Sequence, residues 1–167
     1  IFFADLVTAL NPVLLNKTFG DDKKITVKSF SLRGEEGRLV IDLTATGDFD
    51  GGLTILAKPV YNRQNNSIAF ENVDFDTRDA GLLVSVGGWL FKSAIRSTIK
   101  TKLDTAVVEQ LETARLKASS ALSNLHLDEH ATLTGAVASL SLGDATVLKD
   151  RLTIDVIAQG NSSVSLK

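Results

Sequence analysis

The feature that most constrains the fold is one long helical pattern in the second half of the chain. Apolar residues recur from Leu82 to Leu125 at steps of mostly four and occasionally three, which is the spacing of one face of an α-helix. An unbroken helix over this range would be about 65 Å long at 1.5 Å per residue, although the pair Gly87-Gly88 predicts a bend. Such a helix needs an equally long apolar surface to pack against.

The region before this helix supplies that surface as a predicted antiparallel sheet. Apolar and polar residues alternate in four runs between Ile25 and Phe75, and short turns containing Gly, Asp or Asn separate the runs. This pattern predicts strands with one buried face that are joined as a meander. The alternation slips at Ser29-Phe30 and at Asn72, which predicts β-bulges and a strongly curved sheet.

A shorter amphipathic helix is predicted at the start of the chain. Phe2, Leu6 and Leu10 lie at helical spacing, and Asn11-Pro12 predicts a kink before a second short helical stretch. The expected fold class is therefore α+β, with a strongly curved antiparallel sheet wrapped around one long, bent α-helix and a shorter N-terminal helix.

Two more strands are predicted after the long helix. Leu133–Leu142 and Val147–Val156 alternate like strands, with Gly143-Asp144 near the turn between them. The residues from 161 to 167 are mostly polar, so we expect a single domain over residues 1–160 and a polar tail over residues 161–167.

Composition excludes several classes of function. The 167 residues suit one domain, and 18 basic against 20 acidic side chains give no electrostatic case for binding nucleic acid. The chain has no Cys, which excludes disulfides and thiolate zinc sites. It has no Met and begins inside a helical pattern, so we expect it to be a fragment of a longer protein whose targeting segment precedes it.

Several motifs resemble a known family. The turn Gly47–Thr54, the strand end Lys58–Tyr61 and the segment Phe70–Asp76 precede Trp89-Leu90 in the long helix. In this order they resemble the C-terminal half of a bacterial envelope family known as a domain of unknown function. That family is similar to the tubular lipid-binding (TULIP) superfamily. The resemblance implies a sheet and a long helix around a lipid tunnel, in exported or lipid-anchored proteins about twice this length. It implies no catalytic residues.

The resulting hypothesis is non-enzymatic binding or transport of a lipid or another long hydrophobic ligand in the bacterial envelope, most simply the periplasm. Each methylene group moved out of water is worth about 0.8 kcal/mol, so an acyl chain could bind tightly without polar contacts. The alternative is a structural or interaction module of an envelope complex, with a filled core and no ligand. The candidate ligand-binding residues on the expected inward faces are Leu6, Leu10, Ile41, Leu43, Leu53, Ile55, Phe70, Val86, Trp89 and Leu90.

Basic residues beside this apolar region are candidates for contact with a lipid headgroup. Lys92, Arg96 and Lys100 lie at successive steps of four, and Arg96 and Lys100 are the headgroup candidates. The same spacing also suits a solvated helix face with no ligand. The expected partners are a lipid or another apolar small molecule, a membrane surface, and a second lobe or a protein partner. No nucleic acid and no cofactor are expected.

Two patterns suggest metal chemistry. His126 and His130 match the H-x-x-E-H pattern of a zinc hydrolase, but no Glu, His or Cys follows His130 to complete the ligand set. An ordinary solvated loop explains the pattern better, an adventitious metal-binding pair is the other alternative, and no enzymatic activity is expected. Asn72, Asp74 and Asp76 alternate along one strand and offer oxygen ligands for calcium, or else they simply face water.

Overall fold

The computed structural model describes residues 1–21, 24–76, 89–122, 125–126 and 131–166. This part of the chain has an α+β fold with two helices and open antiparallel sheets, as the sequence predicts at that level. The elements are α1 (Phe3–Leu14), β1 (Thr18–Phe19), β2 (Ile25–Glu35), β3 (Arg38–Gly47), β4 (Gly51–Asn62), β5 (Ser67–Phe75), α2 (Trp89–Leu122), β6 (Leu125–His126), β7 (Ala131–Val147) and β8 (Leu152–Leu166).

Strands β1 to β5 form one sheet in chain order, and every neighbouring pair is antiparallel. The predicted meander is therefore confirmed. The register of β2 against β3 shifts between Val27 and Ser29, and the register of β4 against β5 shifts between Leu56 and Lys58. The second shift lies opposite Asn72, which has a φ of 50°. Both predicted bulges are thus present, because an extra residue in one strand reverses the side-chain alternation that the sequence displays.

The N-terminal helix differs from its prediction. The two expected helical stretches form the single helix α1, and Pro12 lies inside its last turn. Since Pro12 is close to the C-terminal end, its missing N–H group removes one hydrogen bond near a terminus rather than breaking a long helix. The helix buries one stripe at steps of three and four, made of Phe3, Leu6, Leu10 and Leu14.

The core lies between the two helices and the apolar face of the five-stranded sheet. Helix α2 contributes a stripe at steps of four, in which Ile95, Ile99 and Leu103 are fully buried. Burial of a large aliphatic or aromatic side chain stabilises a fold by about 1.5–3 kcal/mol. Helix α2 spans 34 residues, about 51 Å. The first part of the predicted long helix, with Val86 and the bend at Gly87-Gly88, lies outside the described residues.

Strands β6, β7 and β8 form a second antiparallel sheet. The predicted turn at Gly143-Asp144 is wrong, because β7 continues through these residues with a bulge between Leu142 and Ala145. The chain turns instead between Val147 and Leu152, where the Leu148 N–H donates to the Arg151 carbonyl. The residues expected to form a polar tail belong to β8 as far as Leu166, and they pair with the first half of β7.

The turn of the β7–β8 hairpin is fixed to the rest of the molecule. The N–H of Gly34 in β2 donates to the Lys149 carbonyl at 3.0 Å, and the N–H of Phe3 donates to the Asp150 carbonyl at 3.0 Å. A Cβ atom at Gly34 would lie 1.9 Å from the Leu148 carbonyl oxygen, so the absence of a side chain permits this approach. The turn end of the hairpin thereby closes one side of the core. Leu142, Val147 and Leu152 from this end are buried in that core.

Candidate functional site

Most of the predicted ligand-binding residues lie in the packed core. Seven of them are at most 3% exposed and belong to one cluster of buried side chains: Leu6, Leu10, Ile41, Leu43, Leu53, Ile55 and Phe70. Trp89 and Leu90 lie in the first turn of α2, but their side chains, like all of Val86, are outside the described part of the structure. Three cavities of about 600 to 680 Å³ that described residues line are open to solvent and lie at the surface.

One of these open cavities contains both predicted headgroup residues. It lies between α2 and β5 and has a volume of about 680 Å³. Ser93, Arg96, Ser97 and Lys100 project from α2 toward it because steps of three and four keep them on one helix face. We call this cavity the basic groove, and β5 contributes Phe70, Glu71, Asn72 and Val73 to it.

The two cations of the basic groove have different partners. Arg96 Nη1 lies 3.6 Å from Asp74 Oδ1, and both side chains are substantially exposed. Lys100 Nζ lies 2.7 Å from Asp104 Oδ2, while Asp104 Oδ1 accepts a hydrogen bond of 2.7 Å from the N–H of Phe70. Because a long, exposed ion pair is weak, Arg96 is the cation that an incoming anion could engage most easily.

A second cavity lies between α2, the start of β5 and Leu142 of β7, and most of its lining surface is apolar. It has a volume of about 250 Å³, and we call it the apolar cleft. Its walls are Asn66, Ser67, Ile68, Val108, Leu111, Glu112, Arg115 and Leu142. Val108 is 55% exposed although it is a large aliphatic residue on a helix. The sequence contained a signal for this cleft, since Val108 follows the core residue Val107 and widens the apolar side of α2 beyond the core stripe.

One ion pair borders the apolar cleft. Arg115 donates two hydrogen bonds to Glu112, at 2.9 Å from Nε and 2.6 Å from Nη2. These bonds favour the charged forms, so they lower the pKa of Glu112 below its ordinary value and raise the pKa of Arg115.

The basic groove and the apolar cleft lie along one line, which we call the α2–β5 seam. The N–H of Phe70 and the carboxylate of Asp104 connect β5 to α2 between them. From Arg96 in the groove to Val108 in the cleft, the helix rises about 18 Å. The seam therefore offers cationic and hydroxyl groups at one position and apolar side chains at another.

The candidate metal ligands are only partly placed. His126 lies in β6 and pairs with Thr132, whereas His130 lies outside the described residues. In β5, the carboxylate of Asp74 accepts a hydrogen bond from the N–H of Phe75 and contacts Arg96. Asp76 follows the strand and is buried rather than facing water. Within the described ranges, no group of three or more His, Cys, Asp or Glu side chains is arranged to hold a metal ion.

The fold and the seam define an α+β domain with a packed core and an open surface site beside a long helix. The chain belongs to the family described as a domain of unknown function (DUF4403), which matches residues 1–166. The predicted membership of a domain-of-unknown-function family is thus confirmed. No curated protein and no solved structure matches the chain. Among the described helices, none is both long and apolar enough to span a membrane.

Proposed function

We propose that this domain is a non-enzymatic binding module for a lipid or another long amphipathic ligand, held along the α2–β5 seam. The observation that carries the proposal is the arrangement of two unlike cavities along α2 and β5, of which the second also has Leu142 of β7 in its wall. The basic groove would receive an anionic headgroup at Arg96, and the apolar cleft would receive part of the hydrocarbon chain beside Val108 and Leu111.

The two cavities would contribute differently to the binding free energy. An exposed ion pair such as Arg96–Asp74 contributes about 0–1 kcal/mol, so exchanging the carboxylate for a ligand anion costs little. Each methylene group that leaves water for the cleft contributes about 0.8 kcal/mol. The hydrocarbon chain would therefore supply most of the affinity, and Arg96 would select the charge of the headgroup.

This site differs from the tunnel expected from the sequence. A ligand between the sheet and the helices would need space that Leu43, Ile55 and Phe70 occupy in the core. We place the ligand at the seam instead, where apolar surface is exposed. A relationship to the TULIP superfamily stays part of the proposal, and its support is an antiparallel meander whose apolar face packs against a long helix. The bacterial envelope is the proposed location, on the resemblance alone.

Lipid analysis of the purified protein tests the proposal directly. Organic extraction of natively purified protein, followed by mass spectrometry, is expected to release about one amphipathic lipid per chain. Titration with a fluorescent fatty acid is expected to saturate. A protein that releases no lipid and gives no saturable binding would overturn the proposal.

Matched variants locate the site. Val108→Lys is expected to weaken fatty-acid binding at least tenfold, while Val164→Lys, at the same 55% exposure on β8, is expected to have no effect. Arg96→Ala is expected to weaken binding of the fatty-acid anion severalfold without changing binding of the uncharged methyl ester. Arg38→Ala is the control, because its side chain is exposed to the same extent, pairs with Glu36 and lines neither cavity of the seam. Equal effects within either pair would place the ligand elsewhere.

A second candidate is a structural or interaction module without a ligand. The observation that favours it is the burial of seven predicted ligand-binding residues in one cluster of core side chains. Under this candidate the extraction releases no lipid. The parent protein and both lysine variants then give no saturable binding of the fluorescent fatty acid. The extraction experiment therefore separates the two candidates.

A further inference from the structure

Strand β8 has one edge that no described strand covers. It pairs with β7 along its whole length and lies at the border of its sheet, in the order β6-β7-β8. In an antiparallel ladder, every second residue directs its N–H and C=O groups away from its partner strand. At the start of the strand, Leu152 exchanges two backbone hydrogen bonds of 2.9 Å with Ile1. From Ile154 to Leu166, about 43 Å, the outer side of β8 therefore presents a regular row of backbone donors and acceptors.

This edge lacks the features that usually prevent strand pairing. Natural edge strands are blocked by charges, prolines, bulges or short length. From Val156 to Leu166 the sequence contains no charged residue and no Pro. The bulges of the hairpin place their extra residues in β7, since Val137 and Ser139 pair with the consecutive residues Gly160 and Gln159. Strand β8 thus stays regular along its free edge.

The two faces of β8 differ in character. One face carries Ile154, Val156, Ala158, Gly160, Ser162 and Val164, which are apolar or small, and the alternate residues are mostly polar. Val156 and Val164 are 45% and 55% exposed, whereas aliphatic residues of a finished sheet face are usually covered. An added strand that matches β8 must therefore present its own apolar residues on the same face.

We propose that the free edge of β8 pairs antiparallel with β8 of a second copy of this chain, about a two-fold axis. Directly opposite residues in an antiparallel pair share a face, so a symmetric β8–β8 pair must join residues of the same alternation class. Residues of one alternation class direct their backbone N–H and C=O groups toward the free edge. Pairing within this class therefore also brings the outward-directed groups of the two copies against each other. One register among these places Val156 opposite Val164 of the second copy and Gly160 on the axis.

This occupant fits β8 better than an unrelated strand for reasons of charge and shape. Asp155, the single charged residue of β8, lies opposite Ser165 of the second copy in this register, so no like charges meet. The valines that are exposed in one copy form two cross-strand pairs in the dimer. The result is one continuous sheet in the order β6-β7-β8-β8-β7-β6, with an apolar face that crosses the axis.

Disulfide trapping tests both the pairing and its register. The chain contains no Cys, so introduced thiols report on their own positions. In the proposed register, residue 157 of one copy faces residue 163 of the other. The double variant Ile157→Cys/Ser163→Cys of the full chain is expected to form a covalent dimer under mild oxidation, at least tenfold more than either single variant. In the single variants the two thiols lie about 20 Å apart, too far for a disulfide.

Light scattering with a matched pair of charge variants supplies an independent measurement. The full chain without substitutions is expected to have the mass of a dimer. Val156→Lys/Val164→Lys brings lysines opposite each other twice and is expected to give monomers, while Val108→Lys/Leu116→Lys adds the same charge at exposed positions of α2 and is expected to leave the dimer intact. The proposal is overturned by a monomeric parent chain, by equal trapping in the single and double variants, or by a different protein bound at this edge.

Discussion

Strands β3 and β8 show how differently two similar sequence patterns are used in one molecule. Both place apolar or small residues at every second position, although Val40 in β3 and Ile157 in β8 add an apolar residue on the other face. In β3 every inward residue from Leu39 to Ala45 is buried, whereas every described side chain of β8 from Asp155 to Val164 is exposed. The alternation identifies a strand with a side suited to burial, but the neighbours of that strand decide whether burial takes place.

The physical reason lies in the number of covered sides. Strand β3 has a hydrogen-bonded neighbour on each edge, and its inward face contributes to the core that α1 and α2 share. Strand β8 has β7 on one edge, and among its described side chains Leu152 alone is buried, where the hairpin turn docks on β2. The comparison therefore separates a region stabilised by packing from a region held mainly by its backbone ladder.

The largest effect is expected from removing a side chain in the packed region. Phe70 is fully buried in the core, and Phe70→Ala keeps the backbone N–H that bonds Asp104. We expect a loss of about 3–5 kcal/mol in the free energy of unfolding, from lost burial and from the cavity left behind. The measurement is chemical denaturation followed by circular dichroism.

The matched substitution in the exposed region is Ile157→Ala, at a side chain that is 63% exposed. A change within about 0.5 kcal/mol is expected, as for most surface positions. Comparable losses at Phe70 and Ile157 would contradict the division between the packed core and the exposed strand, because they would mean that β8 contributes to the same cooperative core.

A smaller but still clear effect is expected where the two regions meet. Gly34→Ala would place a Cβ atom 1.9 Å from the Leu148 carbonyl oxygen, so the hairpin turn must move away from β2. Overpacking of this kind costs about 1–3 kcal/mol. Hydrogen exchange would add a second readout, since the Gly34 N–H that donates to Lys149 should lose protection.

Gly52→Ala is the control for this junction. Its nearest heavy atom, the Leu43 carbonyl oxygen, would lie 3.8 Å from the new Cβ atom, an ordinary contact. Replacing this strand Gly is expected to be neutral or to stabilise the fold by up to about 1 kcal/mol. If both substitutions behaved alike, close approach of the turn to β2 would not be what fixes the hairpin.

The five-stranded meander could be predicted from sequence because its signals are local. Alternation, turn residues and the slips at Ser29-Phe30 and Asn72 depend on backbone geometry within a few residues. The same local logic failed at Gly143-Asp144, which the sequence analysis interpreted as a turn. Gly and Asp suit both a turn and a bulge, and the choice here depends on pairing with β8, which local sequence does not specify.

The candidate site was predictable in part. Arg96 and Lys100 were selected for their spacing on a helix, and both line the basic groove. The apolar residues were selected by periodicity, which identifies inward faces but does not distinguish a cavity wall from a filled interior. That distinction depends on the distance between the five-stranded sheet and the helices. In the structure, seven of these residues pack in the core. Val108 was not predicted, because the apolar periodicity of a helix identifies one stripe and the cleft needs a second.

The smallest expected effect concerns an exposed ion pair beside the apolar cleft. The hydrogen bonds from Arg115 lower the pKa of Glu112 below its ordinary value of 4.5. Because the pKa is lowered in the folded state, this pairing stabilises the fold at pH values above the ordinary pKa. The contribution is lost as the pH falls through the lowered pKa. Arg115→Gln should therefore move the pKa of Glu112 back toward 4.5, as measured by carboxyl-detected NMR titration.

Because both side chains of this pair are exposed, solvent screens their attraction, and the change in overall stability is expected to be too small to separate from other surface substitutions. Arg38→Gln is the control, since Arg38 pairs with Glu36 and not with Glu112. An unchanged Glu112 pKa in the Arg115 variant would show that the pair does not persist in solution. The wall of the apolar cleft would then lack the fixed charge pair, and the ligand chain would meet a freely moving Glu112 side chain there.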